Sequence, residues 1–363
     1  MKIRYWSYKE EFKKLKSQYF NNLRKFFNSG ELILGPEVKK IEKSFSKFLN
    51  CKYSVAVNSG TDAILISLMS LGIKRNDEII TTSNTAIPTI SAIISSGAKP
   101  VYIDIKENDF LIDENKIEKK ITKKTKAIIV VHLYGQSPNM KKIMSIAKKY
   151  NIKLVEDCAQ SLGSTHFKKK LGSFGSISAF SFYPTKVLGA FGDGGMIVTN
   201  NQKLFSKIKK IRFYGIKKNY TSELHGINSR LDEIQASLLN VKFKYLNNYI
   251  NQRRKIAKNY SSKIKNKNLI LPIESLGNKH VYYNYVIRVK KRQKLIDYLK
   301  KNNIETKIIY PVPVHMMKPY KNLSNKKLNI TNKLGKQILS LPIYPGLDTK
   351  SQNRIIKVLN NFK

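Results

Sequence analysis

SISAFSFYPTKVLGAFGDGGMIVTN, residues 176–200, decides how the chain is read. Two apolar runs of strand character, one ending at Ser181 and one covering GMIVT, enclose a Pro-Thr turn, Lys186 and a loop carrying Gly189, Gly192, Gly194 and Gly195. A lysine pinned between two buried strands is not a solvating lysine. It reads as an amine held for covalent chemistry, most simply a Schiff base with pyridoxal phosphate. The plainer alternative is a lysine on an ordinary loop whose glycines only mark turns.

Upstream, strand and helix alternate. YSVAVN (53–58), EIITTSN (78–84), KPVYIDI (99–105), KAIIVVHLYG (126–135) and KLVEDC (153–158) have strand character. Between them lie helical runs at 61–72, 86–97, near 113–121 and at 139–151. The strands are near-continuous apolar runs, as expected where helices cover both faces of a sheet. The alternation predicts a large α/β domain with a mainly parallel seven-stranded sheet, which the two strands around Lys186 close. Downstream, helices are expected at 202–215 and 230–264, then a strand at 281–289, a helix at 293–303 and a strand at 306–315. The organisation is therefore an N-terminal helical segment (1–30) that packs with a small C-terminal α+β domain (241–363), and a large cofactor-binding domain (31–240).

Composition excludes several classes. No run of eighteen apolar residues suggests a membrane span, and the charged N-terminus lacks an apolar signal core. Cys51 and Cys158 make neither a disulfide framework nor a metal-ligand spacing, so a reducing cytoplasm is expected and no metal. The net charge of +44 invites a nucleic-acid reading, but only ten of the 68 basic residues are Arg and the lysines are scattered. Nucleic-acid readers favour Arg for bidentate contacts, so the charge reads as solvated helix faces that draw in an anionic substrate.

Four segments suggest one pocket. Ser59-Gly60-Thr61-Asp62 joins a strand to a helix, where small residues let backbone amides approach a phosphate; Thr61 can equally be a plain helix cap. Asp157 ends an apolar strand, where a carboxylate can pair with a pyridine nitrogen; the alternative is a cap or a buried ion pair. Ser181 offers a hydroxyl to the phosphate and Lys186 the amine. In GINSRLDEIQASLL (226–239), Asn228 and Arg230 can reach an anion, or serve as an N-cap and a salt-bridge partner.

In these segments and their order the chain resembles the DegT-like, or nucleotide-sugar, aminotransferases of fold type I. GPEVKKIEKSFSKFLN, AVNSGTDAI, VHLYGQSPNM, KLVEDCAQSLGS, the 171–200 run, NSRLDEIQASLL, YYNYVIRV and IIYPVPVH all look like family blocks. The resemblance implies that Lys186 bonds the cofactor, Asp157 meets the ring nitrogen and Gln160 lies by the ring hydroxyl. It implies phosphate contacts from Gly60, Thr61 and Ser181, and from Asn228 of a neighbouring subunit, hence a homodimer with shared active sites. Two departures stand out. Ala86 occupies a position where the family usually stacks an aromatic on the cofactor. A family histidine before a Tyr-Pro pair is Ile309 here, and a histidine is common where Tyr283 stands. Tyr183, Arg230, Tyr283, Ile309, Tyr310 and His315 are thus the substrate-channel candidates. A related branch with His in place of the lysine dehydrates sugars; Lys186 argues against it. The expected reaction moves an amino group from an amino acid, glutamate by resemblance, to a nucleotide-diphosphate keto sugar in amino-sugar and surface-glycan (lipopolysaccharide) synthesis. The NSRLDEIQA block leans toward 3-keto rather than 4-keto sugars. The alternatives are another pyridoxal-phosphate activity, or a regulator using its basic surface.

Overall fold

In the computed structural model, which describes residues 2–323 and 328–363, the apolar runs assemble into one seven-stranded sheet. Its first members are β1 (Tyr53–Val57), β2 (Glu78–Thr82), β3 (Lys99–Ile103), β4 (Thr125–Val131) and β5 (Lys153–Asp157). A short hairpin, β6 (Thr165–His166) and β7 (Lys169–Lys170), precedes β8 (Ile177–Ser181) and β9 (Gly195–Thr199). The order across the sheet is β1-β9-β8-β5-β4-β2-β3, and β9 alone runs antiparallel to its neighbours. The strands flanking Lys186 therefore do not close the sheet, as the alternation had suggested. β1 pairs outside β9 and takes that edge, which puts the lysine loop inside the sheet's span.

Both faces are buried, with the period of two that a strand dictates. Val55, Val57, Ile79, Ala127 and Ile129 point into a cluster shared with α3 (Gly60–Ser70), α4 (Ile87–Ser95) and α6 (Gln202–Ile211). Ala56 and Met196 face the other way, toward α2 (Pro36–Leu49) and α7 (Glu233–Phe243), while Ile80, Ile128 and Val130 pack beneath α5 (Met140–Lys149). A separate core gathers Tyr260, Tyr285, Ile287, Leu295, Leu299, Leu339, Leu341, Ile355 and Leu359.

Several predicted elements take a different form. The run near 113–121 makes two 3₁₀ turns, Glu114–Lys116 and Glu118–Lys120, because its polar residues offer no continuous apolar face to bury. The long helix expected over 230–264 breaks into α7 and α8 (Leu246–Lys263), and the 202–215 helix ends at Ile211. The strand at 281–289 narrows to Tyr285–Arg288. The expected 306–315 strand keeps only a bridge from Lys307 to Ser340, since Pro311 and Pro313 lack the N–H a ladder needs. At the N-terminus the helix is α1 (Lys9–Ser29), whose Leu15 and Tyr19 pack on Leu238, Val241 and Tyr249. Residues before it run alongside 303–305: Ile3 N donates to Asn303 O at 2.8 Å and Glu305 N to Ile3 O at 2.9 Å.

One buried carboxylate organises the approach to β8. Glu156 accepts from the amides of Gly172 (2.8 Å), Phe174 (2.7 Å) and Gly175 (2.7 Å), and pairs with His132 Nε2 at 3.0 Å. Burial pushes its carboxyl upward, but the His132 contact and the amides outweigh that and hold it below the ordinary carboxylate range. Glu156→Gln is expected to destabilise the fold by about 2–3 kcal/mol, read by urea unfolding. A depressed folded value means the contribution is complete above the unfolded pKa and disappears as pH falls through the folded one. The gap between the two proteins should therefore shrink in acid; a gap that widens contradicts this account.

Candidate active site

The carboxyl ends of β1, β2, β5 and β8 converge on one cavity of about 630 Å³. Parallel strands place their following loops on the same edge, so segments far apart in sequence meet there. Gly60, Thr61, Ala86, Asp157, Gln160, Ser181, Tyr183, Lys186, Tyr283, Ile309 and Tyr310 all line it. Each was a candidate from the sequence.

The end of the cavity at the 59–62 turn is built by close approach. Ser59 caps α3, its Oγ accepting from Asp62 N at 3.0 Å. The amides of Gly60 and Thr61, in the first turn, have no helical carbonyl to bond and sit at the positive end of the helix. A Cβ on Gly60 would lie 2.6 Å from Ser181 Cβ, and one on Gly195 only 2.3 Å from Ser59 O. Glycine at both positions lets the turn, β8 and β9 touch.

Asp157 is buried at the cavity floor. Its Oδ2 accepts from Thr89 Oγ1 at 2.8 Å and its Oδ1 from Ala159 N at 3.1 Å. Gln160 bridges two parts of the chain: its Oε1 accepts from Tyr134 N at 2.8 Å, and its Nε2 donates to the Tyr310 hydroxyl at 2.9 Å. The Tyr134 hydroxyl donates to Ile309 O. Burial, with Tyr283 and Tyr134 nearby, pushes the Tyr310 phenol well above its ordinary value, so it remains a hydroxyl at neutral pH.

Lys186 is half-buried, with Nζ 4.8 Å over the Tyr283 ring, and the Tyr283 hydroxyl lies 3.0 Å from Thr185 Oγ1. The lining also contains residues that no sequence pattern had marked: Tyr5, Trp6, Arg253, Asn284 and Lys307. Tyr5 reaches it because its hydroxyl donates to Asn284 Oδ1 at 2.6 Å and its amide to Glu305 Oε2 at 3.1 Å. Arg253 Nη1 donates to Tyr283 O (3.2 Å) and Ile343 O (2.9 Å), and burial lowers its guanidinium to about 10, leaving it charged at neutral pH.

Three sequence candidates lie outside the cavity lining. His315 is buried against Ser83, Nδ1 to Oγ at 2.8 Å. Arg230 places its guanidinium 5.1 Å over the Phe213 ring. Asn228 is bridged to Phe213, while its neighbour Ser229 donates to Asp62 Oδ2 at 2.7 Å, behind the phosphate turn.

Residues 13–360 match the DegT/DnrJ/EryC1/StrS aminotransferase family. The chain belongs to that family. A dTDP-3-amino-3,4,6-trideoxy-alpha-D-glucose transaminase from Micromonospora megalomicea subsp. nigra is 39% identical over 362 residues, covering 98% of this chain and 97% of that one. A Geobacillus stearothermophilus protein named pleiotropic regulatory protein is 39% identical over 358 residues, covering 97% and 96%. The crystal structure of S. venezuelae DesV in complex with a ketimine intermediate has a TM-score of 0.96 at 33% identity, covering 99% of this chain and 98% of that one. The aminotransferase is of fold type I and depends on pyridoxal phosphate.

The residues present fit that cofactor. A helix N-terminus with unbonded amides suits its phosphate dianion, a buried carboxylate with room for one more donor suits its ring nitrogen, and a lysine stands at the cavity wall. Gly60→Ala must drive β8 away from α3. It is expected to weaken retention of pyridoxal phosphate by about tenfold or more in equilibrium dialysis. Unchanged retention would mean that the turn does not carry the phosphate.

Proposed function

We infer that this aminotransferase moves the amino group of glutamate onto the ketone of a nucleotide-linked sugar, a 3-keto sugar in preference to a 4-keto one. The observation that carries the reading is the make-up of the cavity lining. Cofactor-type groups (Gly60, Thr61, Asp157, Ser181, Lys186) share it with hydroxyl-bearing and aromatic groups (Tyr5, Trp6, Tyr183, Tyr283, Tyr310) and with Lys307. Aromatic faces, hydroxyls and a cation suit a sugar diphosphate. The 3-amino product named for the Micromonospora relative supports the same ring position.

When bound, pyridoxal phosphate supplies an electron sink conjugated to the α-carbon of the reacting amine. Lys186 Nζ would hold the cofactor by its aldehyde carbon and, as a free amine, would take the proton from the donor's α-carbon and return one to the sugar carbon. The Tyr283 ring face, 4.8 Å away, would steady that amine once it carries the proton. Asp157 would accept the ring nitrogen's N–H and hold its proton there. Gly60, Thr61 and Ser181 anchor the phosphate, and Gln160 lies beside the ring hydroxyl. Ala86 leaves one ring face without an aromatic of its own. Asn228 serves the active site of a second copy, which makes the working form a homodimer. The chain then acts in the cytoplasm, where nucleotide sugars are made, supplying amino sugar for a surface glycan.

A second reading, a regulator acting through its basic surface, has in its favour the name carried by the Geobacillus relative and the charge of +44. Glutamate alone separates the two. The enzyme should convert its cofactor to the aminated form and release 2-oxoglutarate, a result that also excludes a decarboxylase, aldolase or desulfurase. Lys186→Ala should slow this half-reaction by about 10²–10⁴-fold or more. A panel of 3-keto and 4-keto nucleotide sugars then reads the acceptor, with faster return of the cofactor's absorbance on the 3-keto members. No half-reaction, together with salt-dependent duplex binding, would favour the regulator.

A further inference from the structure

Among the described residues Thr89 alone brings a side-chain hydroxyl to Asp157, and it is itself hydrogen-bonded. Thr89 Oγ1 lies 2.8 Å from Asp157 Oδ2 and 2.8 Å from Thr85 Oγ1. All three residues are buried, with Thr85 and Thr89 only 2% and 1% exposed. Distances alone allow either threonine to donate to the other. The bond to Asp157 settles the direction, because the single Thr89 hydroxyl hydrogen goes to Oδ2. Thr89 therefore donates to Asp157 and accepts from Thr85, so the two hydroxyls form a chain polarised toward the carboxylate. Each donor strengthens the next in a low-dielectric site.

The backbone adds to this. Thr89 lies in the first turn of α4, after Ala86 at the N-cap and Pro88. That hydroxyl contact brings the first turn of α4, the positive end of the helix, close to the carboxylate. With Thr89 on Oδ2 and Ala159 N on Oδ1, each oxygen keeps one acceptor direction free. A ring N–H can take only such a direction, so the fixed donors decide which way Asp157 presents it.

We propose that Thr89, backed by Thr85, is a positioning residue that holds the Asp157 carboxylate aimed at the cofactor's ring nitrogen. The proposal rests on the reading that Asp157 meets that nitrogen. A threonine that only capped α4 would also be buried, so stability by itself does not discriminate.

The test compares two ligands on the apoenzyme: pyridoxal phosphate and its analogue with carbon in place of the ring nitrogen, 1-deazapyridoxal phosphate. Both keep the phosphate and the aldehyde, so only the nitrogen contact differs. Binding is followed by absorbance or fluorescence titration. Thr89→Val should weaken pyridoxal phosphate by about tenfold and leave the deaza analogue unchanged. Thr89→Ser should restore the preference, and Thr85→Val should reduce it by a smaller factor. If Thr89→Val weakens both ligands equally, or neither, Thr89 is structural and the proposal is overturned. Full preference in a folded Thr85→Val would break the relay. Should Thr89→Val not fold, the Ser and Thr85 variants still carry the test. Asp157→Ala is the control for the underlying reading and should erase the preference altogether. If it does not, the placement of Asp157 fails; if it does while Thr89→Val keeps the preference, only the present proposal fails.

Discussion

The site depends on one close backbone contact. Ser59 and Gly60 at the end of β1, Ser181 at the end of β8 and Gly195 at the start of β9 pack so tightly that neither glycine has room for a Cβ. That contact exists because β9 runs antiparallel between β1 and β8. The chain leaves β8 at the carboxyl edge, carries Lys186 to the cavity wall, and re-enters the sheet as β9 beside the 59–62 turn. One reversal of strand direction thus brings a helix N-terminus to a serine and a lysine that lie more than a hundred residues further along the chain.

Two adjacent carboxylates show how a strand divides labour. Glu156 and Asp157 point to opposite faces of β5, as the period of two requires. Glu156 turns to the 172–175 loop and is consumed by three amides and His132. Asp157 turns to the cavity and keeps acceptor directions free. Burial is similar for both, so the difference lies in partners: the first carboxylate holds the chain, the second is available for chemistry.

What the sequence made legible follows the same logic. The large sheet and its edge of functional loops were readable because buried parallel strands are continuous apolar runs with turn residues between them. The lysine, Asp157 and the 59–62 turn were readable because each ends such a run. The place of β1 outside β9 was not, since strand order is a long-range property with no local signal. Tyr5, Trp6 and Lys307 were also invisible: they reach the cavity only because Ile3 pairs beside Ile304 and Tyr5 ties to Asn284. Thr89, one turn from Ala86, carries no local sign of its role, because the carboxylate it meets lies 68 residues away in the chain. His315 misled because a histidine near a Tyr-Pro pair resembles a channel residue, yet Val314 N and the imidazole both bond Ser83 and turn the ring inward.

The central claim is that one lysine, among the 58 left when ten Arg are taken from 68 basic residues, bonds the cofactor. Borohydride reduction of the holoenzyme followed by peptide mass mapping tests it most directly. The account predicts a single pyridoxyl-phosphate adduct, on Lys186. An adduct on any other lysine, or no fixed cofactor at all in a protein saturated with pyridoxal phosphate, would contradict it.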